Sequence, residues 1–545
     1  MPTIVLRSAQ GAGADPMRDS KAQFVALTME IAGLEDGALR AVHLEPDAKP
    51  TTLGCPGPYC LKLPAGATVQ ARVELWSATD TGTPDEPIAR GRTLTFVAGD
   101  SASANRAQAY LVPVGAFAPA VATDGTQATL AGRVGIGVAL SAASGGREAV
   151  LVGGAMVRSE AVDPLQPSAL IAFSGTIAKY DALQRKVEQS AQSLAQPRAF
   201  AAVASGASVV AIAGGYVQNG TTVKPTATVE YLDKSGALVA APQPLKYARA
   251  GATIVAMFGG QDFFLILGGD GQSDCSGACA GNTWEIWHPQ HGVVTTGSLL
   301  SARWRHAAVQ LPGPGGGYVM LLGGENDQNV VGSAEIIQWT ATAKGVVHVS
   351  RAGAKCDDAK GDDCAANAAF FWAPQQVSLP SARTWPGGGL VRALDAKGGF
   401  KLYVAVFGGY ADFLHTQPLG DLHVFDYQQG AFRPDALSLG TARGAPMAAG
   451  LAGGRYGEQL LTVGGLASTG QAVGDAAVFL AQPDAIRAET MLPKTVAGSN
   501  TLLDGGRLLA ATVALPTGHV LLAGGVGGGP GAWIGRSKVL LWGAF

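Results

Sequence analysis

The sequence predicts an all-β chain, a seven-bladed β-propeller preceded by a small N-terminal β-sandwich. Three observations carry that prediction. An apolar run closed by a glycine pair recurs as "AVLVGG", "VVAIAGG", "FFLILGG", "VMLLGG", "YVAVFGG", "LLTVGG" and "HVLLAGG". An arginine stands about 16–25 residues before each pair, at Arg133, Arg198, Arg249, Arg303, Arg383, Arg443 and Arg507. After each pair comes a variable polar loop and then an alternating or aromatic stretch such as "ATVEYLD", "NTWEIWHP" or "GDLHVFDY". Self-similarity at a fixed period of this size marks stacked supersecondary units, and short strands with little helical periodicity make those units four-stranded sheets.

The second glycines stand at 154, 215, 269, 324, 409, 465 and 525, so every step but one lies between 54 and 61 residues. The step from 324 to 409 is 85 and holds an insertion. Within a unit the arginine opens the first strand, as in "SARWRHAAVQL". The run before the glycine pair is the second. Its unbroken apolar character fits a strand packed on both faces, and the pair turns the chain where crowding leaves no room for a Cβ. The aromatic stretch is the third strand, and a weaker fourth precedes the next arginine. The last unit stops just after "SKVLLWGAF" and lacks a fourth strand of its own. An unpaired edge there is a liability, so "AYLVPVGAFAPA", Ala109–Ala120, is expected to fill it.

Residues 1–105 have another texture. The segments "TIVLR", "QFVALTMEI", "LRAVHL", "ATVQARVELW" and "RTLTFVAG" alternate with Asp, Pro and Gly clusters and carry no glycine-pair repeat. They predict an antiparallel β-sandwich. The expected domains are therefore 1–105, a connector over 106–132 that supplies the closing strand, and the repeat region 133–545.

The strand, double glycine, variable loop and "VEYLD" or "LHVFDY" ending resemble kelch repeats, so the resemblance implies a seven-bladed kelch-like β-propeller. The aromatic position after the glycines is filled irregularly, by Tyr231, Trp287, Trp339, Phe425 and Phe479. A sandwich, an early "PTIVLR" strand and such a propeller together resemble bacterial envelope lipoproteins. That resemblance implies an exported protein, in the periplasm or on the outer cell surface, with a lipid anchor just upstream of residue 1.

Composition excludes several classes. A formal net charge of −2 offers no broad basic field for nucleic acid. No run of eighteen uninterrupted apolar residues reads as a membrane span. Glycine supplies 76 of 545 residues without a collagen period, which assigns it to turns. The six cysteines fall in close pairs, Cys55 with Cys60, Cys275 with Cys279 and Cys356 with Cys364, each within a turn-rich segment. Three local disulfides and an oxidising compartment are expected, with zinc binding and reduced thiols as the other readings.

Since the start of the first strand and the end of the second share one end of a hairpin, arginines, glycine pairs and post-glycine loops share one face. Its loops supply Tyr216, Tyr410, Phe413, His415 and Trp533, with Trp304 and Trp385 beside Arg303 and Arg383. Flat rings among hydrogen-bonding groups suit recognition of a protein or polysaccharide. The repeated arginines suit structural ties to the neighbouring blade or loop carbonyls, with a ring that captures an anionic ligand as the other reading, and both tryptophans suit packing. "CDDAKGDDC" places Asp357, Asp358, Asp362 and Asp363 within one short loop, a candidate Ca²⁺ site, and Asp270 with Asp274 is a weaker one. The insertion bearing the first cluster is expected to follow the third strand of the fourth unit.

No HExxH, GxSxG or Walker sequence is present, and none of the eight histidines forms a closely spaced metal pattern. Kelch-ring enzymes similar to galactose oxidase need two tyrosine ligands, one crosslinked to cysteine, and two histidines, one from a domain after the propeller. This chain ends at its seventh unit. The expected function is a non-enzymatic envelope binding protein that needs no cofactor. An enzyme working at the propeller channel and a structural subunit of an envelope assembly are the alternatives.

Overall fold

The computed structural model describes residues 3–8, 22–31, 39–43, 68–78, 84–97, 106–115, 117–122, 124–257, 262–271, 279–313, 316–327, 329–341, 347–351, 376–394, 400–454, 457–482, 485–489 and 505–543. From Gly137 onward they build small antiparallel sheets in a broadly propeller-like arrangement. Sheet 1 takes its strands from Gly137–Leu140, Glu148–Val152, Thr176–Asp181 and Lys186–Ser193. Sheet 2 uses Ala202–Ser205, Val210–Ala213, Val229–Leu232 and Leu238–Ala240, and sheet 3 uses Thr253–Ala256, Phe264–Leu267, Thr283–His288 and Gly292–Ser298. Sheet 4 is Ala307–Gly313, Gly316–Leu322, Ser333–Ala341 and Val347–Arg351, and sheet 5 is Gly387–Leu394, Phe400–Phe407, Asp421–Asp426 and Ala431–Ser438. Sheet 6 is Met447–Gly454, Gly457–Val463, Ala476–Gln482 and Ala485–Glu489.

Sheet 7 contains Ala511–Ala514, His519–Ala523 and Leu540–Gly543, with Phe117–Pro119 added antiparallel to the last of these. Phe117 packs its ring 4.8 Å from Trp542. The insertion in sheet 4 splits the fourth-strand position. Val347–Arg351 pairs with residues 337–341 of the third strand and Gln376–Ser378 with residues 333–335, so the insertion leaves from within the edge strand rather than straight after the third.

The second strand of each sheet is buried end to end where both faces meet other sheets, as in Val210–Ala213 and Phe264–Leu267. The first strands touch in succession from sheet 1 to sheet 7, and the first strand of sheet 7 touches that of sheet 1. One hydrophobic cluster joins those terminal sheets, with Leu151 and Tyr180 against Leu521 and Leu541.

A repeated hydrogen bond explains the glycine pairs. The second glycine of each pair donates its N–H to the carbonyl of the next sheet's arginine: Gly154 to Arg198, Gly215 to Arg249, Gly269 to Arg303, Gly324 to Arg383, Gly409 to Arg443, Gly465 to Arg507 and Gly525 to Arg133. The last of these, 2.6 Å long, links sheet 7 back to sheet 1. At Gly214 the backbone is left-handed, with φ of 62°, and a Cβ would stand 2.2 Å from the Arg249 carbonyl oxygen. Only glycine fits there, because a side chain would push apart two sheets that the neighbouring N–H holds together.

The N-terminal strands form one mixed seven-stranded sheet rather than a purely antiparallel arrangement. Thr3–Ser8 runs parallel to Arg106–Pro113 at its edge. Arg106–Pro113 therefore belongs to this sheet, and only the later part of Ala109–Ala120, Phe117–Pro119, reaches sheet 7. Buried His519 of sheet 7 faces the Arg90 carbonyl of the N-terminal sheet at 3.2 Å, and burial lowers its pKa to about 4.

The expected disulfides need correction. Cys279 is a free thiol, and no disulfide is present among the described residues. Its loop is tied instead by side chains of the following residues. The Cys279 N–H donates to Asn282 Oδ1 at 2.8 Å, and Thr283 Oγ1 donates to the Cys279 carbonyl at 2.6 Å. Cys279 therefore gives no support to an oxidising compartment. Cys55, Cys60, Cys275, Cys356 and Cys364 lie outside the described residues, as do Asp274 and the candidate Ca²⁺ ligands Asp357, Asp358, Asp362 and Asp363.

Candidate functional site

The seven arginines set the frame for one end of the sheets. Arg198, Arg249, Arg303, Arg383, Arg443 and Arg507 are fully buried. Five of them meet an acid at the start of their own sheet's third strand: Arg198 with Glu230 and Arg249 with Glu285 at 2.6 Å, Arg303 with Glu335 at 3.6 Å, Arg383 with Asp421 at 3.1 Å, and Arg443 with Asp475. Four of these guanidiniums also donate to the first glycine's carbonyl, Arg249 to Gly268, Arg303 to Gly323, Arg383 to Gly408 and Arg443 to Gly464. Burial lowers Arg303 to about 10, against the opposing pull of Glu335. Arg303 and Arg383 are thus internal ties.

Two positions that follow these motifs build the site. The residue after each arginine forms a bridge with the residue after each glycine pair in all seven sheets, for example Trp304 with Glu325 and Thr384 with Tyr410. The next residue, two after the arginine, is left-handed in every sheet: Gly135, Phe200, Gly251, Arg305, Trp385, Ala445 and Leu509, with φ between 46° and 63°. Non-glycine residues rarely accept this conformation. Here it is fixed by neighbouring sheets, since Phe200 donates its N–H to Gly135, Gly251 to Phe200, Trp385 to Arg305 and Ala445 to Trp385.

These residues converge. The ring of Phe200 in sheet 2 lies 6.1 Å from that of Trp385 in sheet 5, and the Arg305 guanidinium stands over Trp385 at 5.4 Å. Residues from sheets 1, 2, 3, 5, 6 and 7 share one apolar cluster that includes Tyr216, Tyr410, Trp533, Leu508 and Leu466.

The residue after the glycine pair gives the end two characters. In sheets 2 to 5 it is Tyr216, Asp270, Glu325 and Tyr410, and in sheets 6, 7 and 1 it is Leu466, Val526 and Ala155. On the polar side Tyr216 donates its hydroxyl to Asp270. Burial and the Asp270 charge push that hydroxyl well above the usual tyrosine range. Glu325 accepts from Trp304 Nε1 at 3.1 Å, Arg305 at 2.5 Å and Thr384 Oγ1 at 2.7 Å. His415, with a left-handed backbone and a buried side chain, sets Nδ1 3.1 Å from Asp163 and Nε2 3.5 Å from Glu325.

Burial alone lowers the His415 pKa, but hydrogen bonds to Asp163 and Glu325 outweigh it, and the net shift is upward. Both carboxylates move below their ordinary range, because the His415 bonds and their other donors outweigh burial.

Asp163 comes from the loop after the glycine pair of sheet 1, yet it meets a residue of sheet 5. Residues 156–171 cross this end. Met156–Val157 pairs with Leu170–Ile171, and Asp163 accepts from the Leu165 N–H and Gln166 Nε2. Trp533 Nε1 of sheet 7 donates to the Ala161 carbonyl at 2.8 Å. Arg305 of sheet 4 reaches the Leu165 carbonyl at 3.4 Å.

Of the residues singled out in the sequence, Trp304, Trp385, Tyr216, Tyr410, His415 and Trp533 meet at this end, mostly as buried groups rather than an open platform. Tyr410 is fully buried, with its ring 5.1 Å from His415 and filling the space a side chain at Gly444 would take. Phe413 remains exposed. Sequence reasoning missed Asp163, Arg305, Glu325 and the site role of Asp270. Aligning the repeats on the glycine pair would have placed Glu325 and Asp270 in one column with Tyr216 and Tyr410. Among the described residues no group of three or more His, Cys, Asp or Glu side chains is arranged to hold a metal ion.

No protein-family model and no curated protein matches the sequence. Among solved structures, that of YjhT aligns with a TM-score of 0.39 at 12% identity, covering 66% of this chain and 97% of that one. Among the described residues no helix is long and apolar enough to cross a membrane.

Proposed function

We propose that the seven sheets are the blades of a kelch-type propeller and that the chain is a binding module, holding a protein partner on the face crossed by residues 156–171. One observation carries the binding reading. Five large apolar side chains are exposed on the loops of that face: Met156 and Val162 after sheet 1's pair, Phe413 and Leu414 after sheet 5's, and Ile534 after sheet 7's.

They are neighbours. Val162 adjoins Asp163 and Leu414 adjoins His415, and those two side chains are bonded. Met156–Val157 touches Ile534–Gly535. An apolar stripe of this kind favours a protein over a polysaccharide, for which exposed rings would serve better. A division into an N-terminal domain that includes Arg106–Pro113, a connector reaching residue 132 and the repeat region 133–545 belongs to the same proposal, and so does closure of the propeller by Phe117–Pro119.

A second reading, an enzyme working at the same end, is favoured by the Tyr216–Asp270 pair and by an imidazole set between two carboxylates, groups suited to moving protons. Residues 156–171 would have to move to admit a substrate.

A photo-crosslinking amino acid placed at Leu414, at Ile534 and, as a control, at exposed Val294 on sheet 3 tests the binding reading in producing cells. One discrete protein adduct from positions 414 and 534, absent from 294, is expected. No adduct at either position, or the same adducts from all three, would overturn it.

A further inference from the structure

We propose that residues 156–171 are a lid fastened by the imidazolium form of His415 and loosened when that ring gives up its proton. The geometry carries this. Each ring nitrogen faces a carboxylate oxygen, Nδ1 that of Asp163 on the lid and Nε2 that of Glu325 on sheet 4. A neutral imidazole carries one N–H and can donate to only one of them, whereas the imidazolium donates to both. A neutral ring that keeps its Nδ1–H still donates to Asp163 while Nε2 accepts from Arg305, so losing the proton breaks the bond to Glu325 and turns the bond to the lid from an ion pair into a weaker hydrogen bond from a neutral donor.

The charged and titratable neighbours agree. Asp163 faces the ring from the lid, Glu325 and Arg305 from sheet 4, and Tyr410 from its own loop, where Asp412 turns its carboxylate to Thr416 and Gln417. The Tyr216–Asp270 pair lies beyond Arg305. Asp163, Glu325 and Asp412 are all held below the ordinary carboxylate range, so they stay charged at neutral pH. The Tyr410 hydroxyl, buried beside Asp163, is pushed up and stays protonated. His415 is left as the group that changes charge near neutrality. Arg305, 3.5 Å from Nε2, opposes the imidazolium, but two carboxylates outweigh one guanidinium.

The sign follows. Because His415 is raised above the ordinary value of about 6.5, its contribution is complete below that value and is lost as pH rises through the folded-state pKa. The lid is closed in acid and loosens in base. The inference does not depend on what the face binds.

Hydrogen exchange of the peptide 156–171 in the full-length protein tests it, with exchange times scaled to equalise intrinsic rates at about pH 5.5 and about pH 8.5. Protection in the unaltered chain is expected to fall about tenfold at the higher pH, the size of one hydrogen bond to a charged group. His415→Gln should abolish the step. Trp533→Phe, which removes the donor to Ala161, should weaken protection at both pH values and keep the step. If His415→Gln fails to fold, Asp163→Asn takes its place and should also abolish the step. No step in the unaltered chain, a step surviving in the chosen latch variant, or a step lost in Trp533→Phe would overturn the proposal.

Discussion

Replacing Gly214 by alanine is expected to destabilise the chain by about 4 kcal/mol or more, against about 1 kcal/mol for the same replacement at Gly220. The two positions share a left-handed backbone, with φ of 62° and 64°. Conformational strain is therefore common to both. They differ in surroundings: a Cβ at Gly220 meets nothing within 4 Å, while one at Gly214 stands 2.2 Å from the Arg249 carbonyl oxygen. That oxygen accepts the Gly215 N–H across the gap between sheets 2 and 3 at 2.8 Å. The added methyl must break this link or shift a sheet, and close-packed interiors resist both. Urea unfolding of the two variants side by side measures the difference. Equal losses would mean that the glycine pairs serve backbone freedom alone and not the approach of sheets.

Arg249→Met is expected to cost about 3–5 kcal/mol. The side chain is fully buried and donates to the Gly268 carbonyl at 2.7 Å, Thr283 Oγ1 at 3.1 Å and Glu285 at 2.6 Å. Methionine fills similar volume, so packing is largely kept and the loss is electrostatic. It leaves the Glu285 carboxylate in the interior with the Lys246 and Tyr247 N–H groups as its remaining donors among the described residues. Arg249→Lys restores the charge but not the planar fork that reaches carbonyls, a hydroxyl and a carboxylate together. Its loss should fall between those of the parent and the methionine variant. A methionine variant as stable as the parent would mean that the buried arginine is not the tie between the third strand and the glycine pair.

The repeat was legible because both its signals are chemically forced. A glycine pair is required where a left-handed turn meets a neighbouring carbonyl, and a buried arginine is required where several carbonyls and an acid need one multidentate donor. The site was only half legible. His415 and the aromatic residues were found because their types are conspicuous on loops of the chosen face. The left-handed position two after each arginine was hidden, since Gly, Phe, Gly, Arg, Trp, Ala and Leu share no property that a sequence displays. At Phe200, Gly251, Trp385 and Ala445 the conformation is held by hydrogen bonds between sheets, which no local window contains. Asp163 was hidden for a related reason: its partner His415 is 252 residues away. The disulfide expectation failed at Cys279 because turn-rich spacing permits a cross-link without requiring one, and Asn282 and Thr283 tie the loop.

The central claim is that the seven sheets close upon themselves, with sheet 7 against sheet 1. Its most direct measurement is the distance between spin labels at Ala143 of sheet 1 and Pro516 of sheet 7, compared with Ala143 and Ala207 of sheet 2, in a background with the native cysteines replaced by serine. Gly146 lies beside Pro516, and the Ala142 N–H donates to Ser205. Two short distances of similar length are expected. A distance from position 143 to 516 longer by several sheet spacings of about 10 Å, with 143 to 207 still short, would describe an open array and contradict the account.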